Sequence, residues 1–252
     1  MATGNRSARI HNQVAEQAAL RGARIGVVDV CSAAVAALPV GGAGVSAMQP
    51  HTASHPLCST DTVSERLEEL QLTLGEGPCV DAFARGCAVL APDLRTSPLQ
   101  ECWPVFADAA LEAGIRAVFA LPLQIGAISP GVLDLYSRVP VELSPEALAD
   151  ALAFADFTTL VLLDARIDES GARADDPSPD GRREDLGRYR AEIDQATGIL
   201  MVQLGVGVEV AFVRLRTHAY ATGLRLAEVA ADVVAHRLRL PPDPDGDPRD
   251  GG

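Results

Sequence analysis

Ile193-Asp194-Gln195-Ala196-Thr197-Gly198-Ile199-Leu200-Met201 is the stretch on which the reading of this chain turns. Around it, Tyr189, Ile193, Ala196, Leu200 and Gln203/Leu204 recur at helical spacing and define one continuous face. This predicts a helix over about 184–204, stopped by Gly205. A second helix is expected over about 209–222, burying Ala211, Phe212, Leu215 and Ala219 and ending at Gly223. A third is expected over about 225–238, burying Leu226, Val229, Ala230 and Val233. Three short helices around one phenylalanine make a core that is marginal alone. Support from a dimer partner or from the preceding helix is therefore expected. Such a bundle is too small for an active-site cleft but large enough to read a nucleic acid.

Charge points the same way. The chain of 252 residues carries a net charge of -13, which argues against non-specific nucleic-acid binding. Its 21 basic residues are all arginine. Residues 188–240 are the exception in sign: seven arginines (188, 190, 214, 216, 225, 237, 239) stand against five acids (192, 194, 209, 228, 232). The C-terminal segment is thus the part suited to meet an anion. Arg216 and Tyr220, four apart, lie at one edge of the second helix's apolar stripe, where a guanidinium beside a phenol can hold phosphate and stack an unpaired base. Arg214 projects from the opposite flank. Arg225 opens the third helix, whose first backbone amides favour anions. Gly198, inside a helix, costs roughly 1 kcal/mol relative to alanine and suggests close approach by another helix or by an RNA backbone. For each arginine the competing reading is a solvated surface residue or a pair with Glu209, Glu228 or Asp232, and for Gly198 it is packing.

As a set, Ala196-Thr197-Gly198-Ile199-Leu200, Gly205, Ala211-Phe212, Leu215-Arg216 and Leu226-Ala227-Glu228-Val229-Ala230 resemble the ANTAR domain, over about residues 186–240. The resemblance implies an RNA-binding output module of transcription antiterminators, which binds paired small hairpins in leader transcripts and keeps a terminator from forming. Thr197 and Gly198 are among the candidate RNA contacts; many members carry lysine where this chain has Thr197, and the lost cation weakens the RNA contact there or shifts it to neighbouring arginines.

Upstream, helices are expected over 7–22 and 23–37, and a strand at 44–48. The stretch 49–60 reads as a loop or an irregular strand, with His51 and His55 as surface histidines. Further helices are expected over 62–72, 79–84 and 104–113, and strands at 88–91, 117–123 and 131–136, the last two joined by a hairpin-like turn over 124–130. Ser144, a good N-cap, and Pro145 open a long helix running to about 168. This order makes an α+β antiparallel sheet domain flanked by helices. With Gly75-Glu76-Gly77-Pro78-Cys79, Trp103-Pro104 and Gly131-Val132-Leu133-Asp134-Leu135-Tyr136, it resembles a GAF domain of the kind fused to ANTAR modules in actinobacteria. That resemblance implies a sensor holding an unidentified small-molecule ligand over the sheet, or a dimerisation scaffold whose flanking helices 7–37 and 144–168 pair between two copies in a homodimer.

The resulting division is N-terminal helices (1–39), GAF-like domain (40–167), linker (168–183), three-helix ANTAR domain (184–240) and disordered tail (241–252). No apolar run spans a bilayer and Met1 to Arg9 lack a signal segment, so no membrane partner and a cytoplasmic location are expected. Cys31, Cys58, Cys79, Cys87 and Cys102 show no metal-ligand spacing with a histidine and read as buried reduced thiols, with redox sensing as the competing reading; no metal site is expected and no cofactor is identified. An enzyme reading, reduction of free methionine sulfoxide through Cys79, Cys87 and Cys102, lacks a basic group poised to activate a thiolate other than Arg85.

Overall fold

The computed structural model describes residues 2–48, 55–171 and 181–241, with side chains for 5–48, 55–165 and 191–241. Two compact units divide the chain, one reaching to Leu186 and one beginning at Gly187.

In the first unit, five strands form one antiparallel sheet: β1 (Gly42–Ala47), β2 (His55–Ser59), β3 (Val89–Ala91), β4 (Ala117–Ile125) and β5 (Ile128–Ser137). Their order is β2-β1-β5-β4-β3. The helices of this unit are α1 (Ala2–Arg21), α2 (Val27–Ala37), α3 (Thr62–Leu74), α4 (Pro78–Arg85), α5 (Ser97–Cys102), α6 (Pro104–Glu112) and α7 (Pro145–Gly171).

Strand alternation sorts these helices onto two faces. Ala117, Phe119, Leu121 and Leu123 of β4 and Leu133 and Leu135 of β5 point to one face, where they pack with Ile10 and Val14 of α1, Val30 and Ala34 of α2, and Ala151 and Phe154 of α7. Val118 and Tyr136 point to the other, against Leu67 and Leu70 of α3 and Phe106 of α6. Ala120 and Val132 meet Cys79 and Ala82 of α4 on that same face. Both faces are covered, which is why β4 and β5 read as near-continuous apolar runs rather than as polar alternation.

The sheet domain follows the expected order with four adjustments. The N-terminal helices are not a segment apart, because α1, α2 and α7 share one core with the sheet. In the stretch read as a loop or an irregular strand, residues 55–59 form strand β2, and His55, expected at the surface, is buried there; His51 lies outside the described residues. The β4–β5 turn is only Gly126-Ala127, with Ile125 paired to Ile128 and Gly126 at φ 60 as the first central residue of a two-residue hairpin. Helix α5 was not foreseen: its Ser-Pro-Leu-Gln-Glu-Cys sequence has no apolar period and none of its residues is buried.

The Gly75-to-Cys79 motif is a tight joint between helices. Glu76 Oε1 accepts from the backbone N–H of Val105 and Phe106 and so caps α6, while Gln71 Oε1 accepts from Cys79 N at 2.7 Å. A second anchor is Asp61, the N-cap of α3. It accepts from the N–H of Val63 and Ser64 and, at 2.7 Å, from the Tyr136 hydroxyl. Burial pushes the Asp61 carboxyl up, but these hydrogen bonds outweigh it and leave it below the usual value. The Tyr136 hydroxyl is pushed up to about 12 by burial and by Asp61. Asp61→Ala removes a cap and takes the acceptor away from the buried Tyr136 phenol, and is expected to lower stability by about 2 kcal/mol. Urea denaturation followed through Trp103, the chain's one tryptophan, measures it.

In the second unit, α8 (Gly181–Leu204), α9 (Val208–Thr222) and α10 (Leu226–Val234) are the three expected helices. Ile193, Ala196 and Leu200 are buried, as are Ala211, Leu215 and Ala219, and Leu226, Val229, Ala230 and Val233. Phe212, expected in the core, is only half-buried, and Tyr189 lies outside the side chains described. Helix α10 stops four residues before the expected end. His236 takes a left-handed conformation at φ 58, and the amides of Arg237 and Leu238 turn back to the Asp232 carbonyl. A glycine would have announced that stop; a histidine does not. Of the expected linker, α7 and α8 take up both ends, leaving 172–180 outside the described residues together with 242–252.

Candidate functional site

Helix α9 presents the surface on which the expected contacts depend. Ala211, Leu215 and Ala219 fix its buried side, so Val210, Val213 and Tyr220 are turned outward, 47%, 50% and 58% exposed. Arg216 sits at the margin of that outward face, one turn before Tyr220. Its guanidinium lies over the Phe212 ring, 5.4 Å from the centroid, and burial lowers its pKa while leaving it charged. A half-buried, ring-stacked guanidinium is held in place rather than sweeping through solvent. Arg216 and Tyr220 therefore lie one helical turn apart along the same margin of α9, the guanidinium over Phe212 and the phenol exposed.

The other expected contacts are placed differently. Arg214 donates to the carbonyl of Pro241 at 2.8 Å, and Gln203 Nε2 donates to that of Leu240 at 2.7 Å. These two bonds tie the segment after α10 to α9 and α8, which gives Arg214 a structural task. Arg225 is exposed at the start of α10, but its N–H donates to Glu228 at 3.0 Å. A carboxylate of the same helix already stands at the end that favours an anion.

Thr197 requires correction. It is 5% exposed, and its hydroxyl donates to the Ile193 carbonyl at 2.8 Å. It lies on the same side of α8 as Ile193, Ala196 and Leu200, so it is a core residue of this unit rather than a surface contact. The helical period puts position 197 within 100° of Ala196 and the burial stripe is broad enough to include it. Gly198 is exposed, and a Cβ added there would meet nothing within 4 Å. Packing within the chain therefore does not require glycine at 198. Gly198→Ala is expected to raise stability by about 0.5–1 kcal/mol, read as an increase in the thermal midpoint of the C-terminal unit by far-ultraviolet circular dichroism.

A second constellation escaped the sequence reading altogether. On the sheet face covered by α3 and α4, Glu68 of α3, Cys79 of α4 and Asp134 of β5 place one ligand atom each within 4.8 Å of one another, all buried. Gly44 pairs with Asp134 across β1 and β5, and a Cβ at Gly44 would stand 2.5 Å from Glu68 Oε1. Glycine there leaves the room into which the Glu68 carboxyl folds. Ser46 Oγ donates to Glu68 Oε2, and Gln71 Nε2 donates to Asp134 Oδ2 at 3.3 Å. Burial is the largest cause that pushes Asp134 up to about 6; hydrogen bonds from Cys79, Glu68 and Gln71 act against it. Glu68 is raised by burial and then by the Asp134 charge, and Cys79 by burial and then by both acids. Nothing in sequence spacing signals this cluster, because its three members come from separate elements joined only by the sheet register.

The family model described as ANTAR domain matches residues 187–234. No curated protein matches the chain significantly. Among solved structures, the GAF domain of a phosphoenolpyruvate-protein phosphotransferase from Acinetobacter is 12% identical, with a TM-score of 0.47, covering 68% of this chain and 98% of that one. The GAF domain of a phosphoenolpyruvate-protein phosphotransferase from Coxiella burnetii is 14% identical, with a TM-score of 0.47, covering 65% and 98%. A type II free methionine-R-sulfoxide reductase from Thermoplasma acidophilum is 16% identical, with a TM-score of 0.42, covering 54% and 89%.

Proposed function

We propose that this chain, a GAF-like unit followed by an ANTAR domain at residues 187–234, is an RNA-binding transcription antitermination regulator. The C-terminal helices bind hairpins of a leader transcript, and the first unit serves as the sensory or dimerisation part. The chain works as a homodimer, which supplements the small core of the three-helix unit.

The observation that carries this reading is the match of the three-helix unit to the ANTAR domain together with the Arg216–Tyr220 edge on α9. A guanidinium held over Phe212 supplies a fixed cation for a phosphate, and Tyr220, more than half exposed, supplies a ring on which an unpaired loop base stacks. Arg225 contributes charge at the start of α10, and Gly198 leaves the outer side of α8 low enough for a backbone to approach. Among the described residues no single helix is long and apolar enough to cross a membrane.

Catalysis is not part of this reading. Cys79 is buried, and burial pushes its thiol up, the reverse of the exposed, depressed thiolate that a sulfoxide reductase needs.

Tyr220→Ala and Arg216→Ala, each in the full chain, are expected to weaken binding to a two-hairpin leader RNA by about tenfold or more, as loss of one stacked base costs roughly 1–3 kcal/mol. Fluorescence anisotropy against labelled RNA measures this, with circular dichroism confirming that the helices remain. Wild-type affinity in both variants removes this edge from the interface. The same face carries exposed Val210 and Val213, which favours a second reading in which α9 docks a partner protein. Crosslinking in cells that recovers protein at α9 and no RNA selects that reading.

A further inference from the structure

We propose that Glu68, Cys79 and Asp134 form a binding site for one divalent transition-metal ion of the Zn2+ class, beneath α3 and α4 of the first unit. The three ligand atoms already lie within 4.8 Å of one another. A tetrahedral ion at about 2.0–2.3 Å from each ligand separates its donors by roughly 3.5 Å, so the cluster closes with shifts on the order of 1 Å.

Two observations besides the clustering of acids point to a ligand. Glu68 Oε1 and Asp134 Oδ1 are buried acceptors for which, among the described residues, no donor outside the cluster itself is in place, although Glu68 is 4% and Asp134 0% exposed. Buried acceptors in native structures are almost always satisfied, and an exception calls for an ion or a water. The second is the space at Gly44. A Cβ there would stand 2.5 Å from Glu68 Oε1, so glycine leaves the Glu68 carboxyl its place beside Asp134.

Among the described residues no cation acts on the cluster. The groups that act on the three acids are one another, Ser46, Gln71 and Cys58, all neutral or acidic. Buried carboxylates without a positive partner either stay protonated or hold a metal. A thiolate with two carboxylates suits the Zn2+ class; Ca2+ and Mg2+ are bound by oxygen alone. The Met48 thioether lies 3.6 Å from Cys79 Sγ and adds a further soft donor on that side. Ser46 and Gln71 orient the two carboxyls, and Gln71 also accepts from Cys79 N, so one side chain positions two of the ligands. Binding displaces the Cys79 proton and those held by the carboxyls into solvent. The bound ion ties α3 and α4 to the central strand β5 and gives the first unit an input independent of the RNA reading.

The test is a titration of the chelator-stripped full chain with Co2+ and then Zn2+. The expected result is saturation at one ion per chain, a thiolate-to-cobalt charge-transfer band in the near ultraviolet, and bleaching of that band by Zn2+. Cys79→Ser abolishes the band, whereas Cys87→Ser and Cys102→Ser, at exposed thiols, retain it. Gln71→Ala keeps the three ligands and weakens Co2+ binding by about tenfold. Wild-type protein that shows no saturable band overturns the proposal, whatever the folding of the variants. So does a band that survives Cys79→Ser and disappears with Cys87→Ser or Cys102→Ser.

Discussion

Gly131→Ala is expected to destabilise the first unit by about 3 kcal/mol, the upper end of the cost of overpacking a filled interior. Gly131 opposes Ala47 on β1 and Leu123 on β4. A Cβ at this position would stand 2.0 Å from the Ser46 carbonyl oxygen, 3.0 Å from the Ser46 carbonyl carbon and 3.1 Å from the Ala47 Cα. All three atoms are backbone, so no rotamer change relieves the contact, and β1 and β5 must separate where they pair. Those strands carry Ser46 and Asp134, so the damage reaches the buried cluster as well. A urea transition followed through Trp103 reports this unit alone, which matters in a chain of two units that need not unfold together. An unchanged midpoint would show that the ladder tolerates a methyl group there.

The buried acids give the second large effect, and its sign is opposite to ordinary acid denaturation. Asp134 is pushed from 3.8 up to about 6 in the folded chain, and Glu68 is also raised well above its usual 4.5. A carboxyl raised on folding binds its proton more tightly in the folded state. Its stabilisation is complete below the unfolded value and is lost as pH rises through the folded one. Asp61, Asp93 and Asp150 are lowered below 3.8, so their contribution is lost only in stronger acid. Between pH 5 and 8 the metal-stripped first unit should therefore lose stability as pH rises, by about 1.4 kcal/mol from Asp134, the part of its two-unit shift that remains above pH 5. Asp134→Asn should flatten that slope. Urea midpoints through Trp103 across this range, with chelator present, decide it; a flat or rising profile in the wild type contradicts the assignment.

How much was legible in the sequence depends on how local the signal is. Helices α8 and α9 announce themselves by apolar period and by the glycines at 205 and 223 that stop them. Helix α10 does not announce its end, because the stop rests on His236 in a glycine-like conformation. Arg216 and Tyr220 could be paired from their spacing alone, since four residues are one helical turn. Arg214 could not be assigned, because its partner, the Pro241 carbonyl, is 27 residues away. Thr197 was read outward and lies inward, because a hydroxyl that bonds its own helix at Ile193 is accommodated in a core.

The sequence by itself determined the helical periods, the apolar strand runs and the resemblance of the C-terminal segment to the ANTAR domain. These follow from relations between residues a few positions apart. Only the tertiary structure decided which side chains face each other: that Glu68, Cys79 and Asp134 meet under α3 and α4, and that α1, α2 and α7 share one core. Both depend on the register of an antiparallel sheet. A shift of one residue there would turn every side chain to the opposite face, and no local pattern specifies where distant strands align.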